Sequence, residues 1–313
     1  MKAIYRRYRG EEDYWRMREF LRRVFVANNS TQMSWHVARL DYARWHGCLN
    51  CAGVSLDDVV HIWEAGPQIV AVVMPDGGFG EAHLLVHPEA DSTELEQEMI
   101  GVAMQLLPEK RADGSRRLYV WSPARNQLRR DLLLRAGFDK ANAECQWRKP
   151  LHTPIQEVAV PSGYTIRSLG EGVELLERCY ASGLAFHHGD LRVAIQNRSD
   201  PSWYHHIQTA PLYRRDLDLV AVSRTGAVAA FCTVWFDDVT RTGLFEPVGT
   251  VPEHQRRGLA KALLAEGLVR LKRIGATMAF VSGGSDGANA LYESVMGSDC
   301  EVYESWLRTW KLP

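Results

Sequence analysis

The sequence predicts an α/β (α+β) chain built as two tandem units of one plan, and length, punctuation and repetition each point there. At 313 residues the chain exceeds one domain of ~100–200 residues, and 46% hydrophobic residues can supply two cores. A proline-punctuated stretch from Lys149 to Ser162 carries Pro150, Pro154 and Pro161 without helical or strand periodicity. It divides the chain into 1–150, a linker 151–162, and 163–313. The same order of elements recurs on both sides, as internal duplication of a unit predicts.

Each half opens on a long helix and passes through strands into a buried strand ending at a proline turn. In the first half Ala82–Val86 runs into His87-Pro88-Glu89 and a helical stretch Glu94–Leu107; in the second, Leu244–Thr250 runs into Val251-Pro252-Glu253 and a helix from about Gly258 to Arg273. An offset of 164 residues carries Pro88 onto Pro252 and Glu89 onto Glu253. Downstream, Leu118–Trp121 answers to the strand Met278–Val281, and Asp131–Phe138 to the helix that carries Tyr292.

Thirty-seven Lys and Arg against 38 Asp and Glu give a net charge of −1, so no bulk positive field exists to hold a nucleic acid. Met1 to Phe25 is loaded with Arg and Glu, unlike a signal peptide, and no apolar run reaches the ~18–20 residues of a membrane helix. The expected compartment is the cytoplasm, with no membrane partner. The six cysteines are too scattered for a disulfide framework. Cys48 and Cys51 form a C-x-x-C pair without the second pair or histidines of a zinc site, and no metal is expected.

Chemistry concentrates in the second half. Gln255-Arg256-Arg257-Gly258-Leu259-Ala260 stands between an apolar strand and a helix whose Leu259, Leu263, Leu264, Leu268 and Leu271 recur at helical spacing. A glycine there lets backbone approach a ligand, and the free N–H groups of a first helical turn attract an anion. Arg256, Arg257 and Lys261 add positive charge where a pyrophosphate or 3′-phosphate would lie, although arginines at a surface are more often simply solvated.

In this context, from Gly243 to Gly297, the sequence resembles the GNAT N-acetyltransferase superfamily: a Q-x-x-G-x-G/A signature after a strand, a long helix, a strand, and Ala290-Leu291-Tyr292. The 1–150 half looks like a degenerate copy. The resemblance implies acetyl-CoA as donor and, in each unit, a mixed, mostly antiparallel sheet flanked by helices, with two central strands splayed apart. The pantetheine arm would bond to the backbone of Val248, Gly249 and Thr250.

Pro247 agrees with a splay, because it removes a ladder donor and requires a bulge or a departure from the partner strand. Alternation then places Leu244, Glu246, Val248 and Thr250 on one face. Among apolar neighbours, the Glu246 carboxyl would titrate high and act as a general base; equally, it reads as an exposed strand-end residue near Arg241. By the resemblance Tyr292 faces the sulfur of CoA and protonates the departing thiolate. Where the family often keeps an asparagine, seven residues before that tyrosine, the chain has Ser285; Asn289 lies three before. Both are candidate donor contacts.

In the first half Glu94 and Glu96 replace Gly258 and Ala260, and two carboxylates at a helix start repel a pyrophosphate. Asn126 holds the asparagine position, but Leu133 replaces the tyrosine. For the acceptor, His187, His188, Trp203, Tyr204, His205 and His206, together with Trp35, His36, Trp45 and His46, read either as pocket-lining or as ordinary loop and core residues. The expected function is acetyl transfer to a primary amine of a small molecule by a monomer or homodimer. Mycothiol-synthase-like enzymes share the tandem plan, which makes a cysteinyl aminoglycoside one specific acceptor. A non-catalytic acyl-CoA sensor or scaffold is the alternative.

Overall fold

A computed structural model describes residues 2–29 and 35–311. In chain order the first elements are β1 (Ile4–Arg7), α1 (Glu11–Ala27), α2 (Val37–Tyr42), a π-helical turn Ala43–Ala52, α3 (Leu56–Val59), β2 (His61–Ala65), β3 (Gln68–Met74) and β4 (Glu81–Val86). Then come α4 (Thr93–Leu106), β5 (Glu109–Lys110), β6 (Ser115–Pro123), α5 (Gln127–Arg135) and β7 (Asp139–Pro150). The later elements are β8 (Tyr164–Ser168), α6 (Val173–Phe186), α7 (Leu191–Ser199), α8 (Ser202–Gln208), β9 (Asp218–Ser223), β10 (Val228–Asp237) and β11 (Thr242–Thr250). The chain closes with α9 (Leu259–Arg273), β12 (Met278–Gly283), α10 (Asp286–Met296) and β13 (Cys300–Lys311).

These divide into two compact units, Met1–Gln146 with Glu301–Pro313, and Trp147–Cys300. The sequence-based division assigns 301–313 to the second half; in the structure that strand belongs to unit 1. The cause is its pairing: Tyr303–Lys311 lie antiparallel to Pro123–Ser115 of β6, and Trp306 joins the buried cluster of unit 1. Strand pairing across so long a separation leaves no local trace in the sequence.

Unit 1 runs β1-β2-β3-β4-β6-β13, with only the β4–β6 pair among these parallel. Tyr14, Met17, Leu21 and Val24 of α1, spaced three or four apart, are buried in a common core with Trp63, Val72 and Leu84.

Unit 2 runs β8-β9-β10-β11-β12, antiparallel except for β11–β12. β10 is buried along its whole length, as a strand covered on both faces must be. On one face lies α9, where a Cβ at Gly267 would stand 2.5 Å from Phe245 Cε1 and 3.1 Å from Val234 Cγ2. On the other lies α6, whose Arg178 guanidinium sits 3.5 Å above the centre of the Phe231 ring.

The bulge expected at Pro247 is present. Cys232 pairs with Val248 and Val234 with Phe245, so Thr233 alone faces Glu246 and Pro247. The extra residue shifts the phase of alternation. Leu244 stands opposite Trp235, and Val248 opposite Cys232, residues that point to opposite faces of β10. Leu244 and Val248 therefore do not share a face.

Candidate active site

The splay is visible in the pairing of unit 2. β11 lies parallel to β12 only from Thr242 to Phe245, opposite Met278 to Val281, and beyond it continues beside β10 alone. Glu246, Val248 and Thr250 are partly exposed along the opened edge, whereas Leu244 and Phe245 are buried. A Cβ on Gly249 would fall 2.2 Å from Phe231 Cζ, so only glycine lets the strand lie against that ring.

Past the strand the chain turns through Pro252–His254 into α9. Gly258 caps the helix at φ +82° and offers no side-chain acceptor. The first intrahelical bond is from Ala262 N to Gly258 O, which leaves the amides of Leu259, Ala260 and Lys261 with no acceptor inside the helix. This end can receive an anion. The Leu259 side chain is buried in the core, so only its backbone is available there. Arg256 and Arg257 are exposed. Arg257 is tethered, donating to Tyr164 Oη at 3.0 Å and to Glu253 O at 3.0 Å, while Tyr164 Oη lies 2.8 Å from His254 Nδ1. Tyr164 and His254 brace the turn, and no local sequence signal announces them.

Tyr292 is 7% exposed and meets the end of β12, where a Cβ on Gly283 would lie 3.0 Å from its ring. Burial pushes the phenol's pKa up, and the charge of Glu246 pushes the same way. Ser285 is the N-cap of α10, its Oγ accepting from Ala288 N at 3.3 Å. Asn126 caps α5 in the same manner in unit 1, accepting from Arg129 N at 3.0 Å. Asn289 Oδ1 accepts the indole N–H of Trp147 at 3.1 Å, a partner the sequence reading lacks.

Of the residues considered for the acceptor, Tyr204 is fully buried and gives its hydroxyl to Asp218 Oδ2 at 2.7 Å, which makes it core. His187 ends α6, His188 follows at φ 53°, and His205 is exposed on α8. In unit 1, Trp35 is buried edge-on against His83, and His36 caps α2. Trp45 and His46 lie in the π-helical turn with Cys48 and Cys51. Burial raises the Cys48 thiol to about 12, and partial desolvation moves the exposed Cys51 in the same direction. Among the described residues no group of three or more His, Cys, Asp or Glu is placed to hold a metal ion, and no helix is long and apolar enough to cross a membrane.

Residues 174–297 match the Acetyltransferase (GNAT) family, a span that contains the splay, the helix start and Tyr292. A mycothiol acetyltransferase from Paenarthrobacter aurescens is 27% identical over 241 residues, covering 72% of this chain and 69% of that protein. The solved GCN5-related N-acetyltransferase from Sphaerobacter thermophilus shares the fold at a TM-score of 0.68 and 17% identity, over 99% of this chain and 98% of its own. A tandem GNAT protein from the clavulanic acid biosynthesis pathway does so at 0.65 and 15%, over 98% of each. The second unit thus carries a match to the Acetyltransferase (GNAT) family, and the whole chain shares the fold of solved GNAT proteins, a tandem one among them.

Proposed function

We propose that unit 2 transfers the acetyl group of acetyl-CoA to a primary amine on a small molecule, with Glu246 as base and Tyr292 as acid. The observation that carries this reading is the Tyr292 ring, 7% exposed and packed at Gly283 on the end of β12, beside strands β11 and β12 that part after Phe245. The uncapped start of α9, Gly258 to Lys261, suits the pyrophosphate, with Arg256 on its exposed rim. Backbone N–H groups of Val248–Thr250 would polarise the thioester carbonyl.

Glu246, directly or through a water, takes the proton from the attacking amine as the N–C bond forms and the C–S bond breaks. Tyr292 gives its proton to the sulfur. Burial raises the phenol's pKa, and a thiolate forming in the same desolvated place is made more basic by the same cause, so the two remain matched. The names of the mycothiol acetyltransferase and the clavulanic acid pathway protein support a small-molecule acceptor.

Release of CoA from acetyl-CoA, followed by chromatography with glucosamine, benzylamine and cysteine methyl ester, tests the reading. Amine-dependent release with an acetylated product is expected. Tight acetyl-CoA binding without any turnover would instead mark a sensor or scaffold.

A further inference from the structure

Pro247 deprives β11 of one backbone donor, and the carbonyl beside it is claimed by a side chain. Trp235 of β10, fully buried, donates its indole N–H to Glu246 O at 2.5 Å. Its pairing partner is Leu244, two residues earlier on β11, so the indole reaches forward along the strand to the bulged peptide.

The flank of the bulge on β10 is anchored too. Thr233, the single residue opposite Glu246 and Pro247, gives its hydroxyl to Asp218 Oδ1 at 3.2 Å. Asp218 is fully buried and also receives the hydroxyls of Tyr204 and Tyr213, each at 2.7 Å. The Tyr213 ring stands edge-on to Trp235, 6.4 Å between centres. In unit 1 the corresponding ladder, Val73 with Leu84 and Met74 with His83, runs without a bulge.

We propose that Trp235 is a positioning residue for the acetyl transfer, holding the bulged Glu246–Pro247 peptide so that the Glu246 carboxylate points into the opened strands. This rests on the reading of Glu246 as base. Carbonyl and side chain of one residue are joined through the same Cα, so fixing the C=O against a rigid, packed indole fixes the direction of the Cα–Cβ bond. A freed carbonyl lets the peptide swivel, and a base displaced by about 1 Å can lose up to ~10²-fold in rate.

Trp235→Phe keeps an aromatic ring and deletes the donor; a benzothienylalanine at 235 keeps nearly the whole shape and deletes it too, guarding against a packing defect. On the fastest amine of the panel, both should lower kcat about tenfold and leave the KM for acetyl-CoA within about twofold. In a Glu246→Gln background the same changes should cost less than about twofold, since there is no base left to misplace. Equal losses in both backgrounds, or wild-type kcat in the benzothienyl variant, overturn the positioning role. Full activity of Glu246→Gln alone overturns the base reading itself, and the positioning role with it.

Discussion

Both units part the same two strands, and they fill the gap differently. In unit 1 β4 pairs with β6 only from Glu81 to His83, as β11 pairs with β12 only to Phe245 in unit 2. Into the gap of unit 1 goes Arg129 of α5, whose Nη1 donates to Leu84 O at 2.9 Å and whose Nε meets Glu96 of α4 at 2.9 Å. Glu96 and Arg129 are 0% and 3% exposed. In unit 2 the residue 164 after Glu96 is Ala260, and the residue three after the α10 cap, as Arg129 is three after the α5 cap, is Ala288. One gap holds an ion pair between its own helices, and the numbering that carries those two residues into the other unit arrives at alanines. The helix starts differ in the same sense: Ser92 accepts from Leu95 N at 3.2 Å, whereas Gly258 offers α9 no side-chain cap. A parted strand exposes backbone groups that need partners, and in unit 1 the chain supplies one of them from within, Arg129 to Leu84 O.

The largest expected effect tests whether the gap of unit 2 does chemistry. Tyr292→Phe removes one proton and keeps the ring that fills the space beside Gly283, so kcat should fall ~10²–10⁴-fold with acetyl-CoA affinity nearly unchanged. A kcat within about a factor of two would make Tyr292 the counterpart of Leu133, a core residue.

Next in size is the plug of unit 1. Glu96→Ala leaves a buried guanidinium without its acid and should destabilise that unit by about 3–5 kcal/mol, read as faster amide exchange in α4 and α5. Glu96→Leu with Arg129→Met, apolar and of similar bulk, should recover most of the loss. If Glu96→Ala alone costs less than about 1 kcal/mol, the ion pair does not fill the gap in any energetic sense.

What the sequence reveals here is what neighbours in the chain decide. The Pro88/Pro252 repeat, the helix after Gly258 and the bulge at Pro247 all follow from local patterns, and all are found. Glu96 shows the limit. A charge at a helix start reads as a phosphate-repelling carboxylate, but Glu96 points inward to Arg129, 33 residues away, so repulsion at that end falls to exposed Glu94. Trp235 on Glu246 O, Trp147 on Asn289 and β13 beside β6 are likewise long-range pairings, set by tertiary register that no spacing rule encodes.

Gly258→Glu puts a carboxylate at the helix start of unit 2, where unit 1 has the capping hydroxyl of Ser92. Calorimetry should give one acetyl-CoA per wild-type chain and an affinity at least roughly 100-fold weaker in the variant, since a carboxylate opposes the pyrophosphate and the φ of +82° is strained for any side chain. Two equivalent sites in the wild type would mean that the Arg129–Glu96 pair yields to the ligand.

The smallest effect concerns a clasp the units share. Arg6 of β1 reaches Asp13 of α1, and Arg167 of β8 reaches Glu174 of α6, each acid seven residues after its arginine. Unit 1 adds Glu64, on which both Arg6 and Arg16 converge. The Arg6 hydrogen bond, opposed by burial and reinforced by Arg16, holds the Glu64 carboxyl down at about 2; the Arg167 bond lowers Glu174 in the same direction. A carboxyl depressed in the folded state stabilises fully above its unfolded pKa of ~4.3 and loses that contribution as pH falls toward the folded value. For Glu64, 21% exposed in its side chain, the contribution after solvent screening is about 1–2 kcal/mol. Glu64→Gln should therefore lower the protection factors of β1 and β2 amides at pH 6 and converge with wild type near pH 2. Glu174→Gln should do the same to β8 and β9 by less, because Arg167 is 45% exposed and more strongly screened. A constant difference between Glu64→Gln and wild type from pH 6 down to pH 2 would show that Glu64 acts through packing rather than charge, and the added acid in unit 1 would then give it no acid-dependent advantage over unit 2.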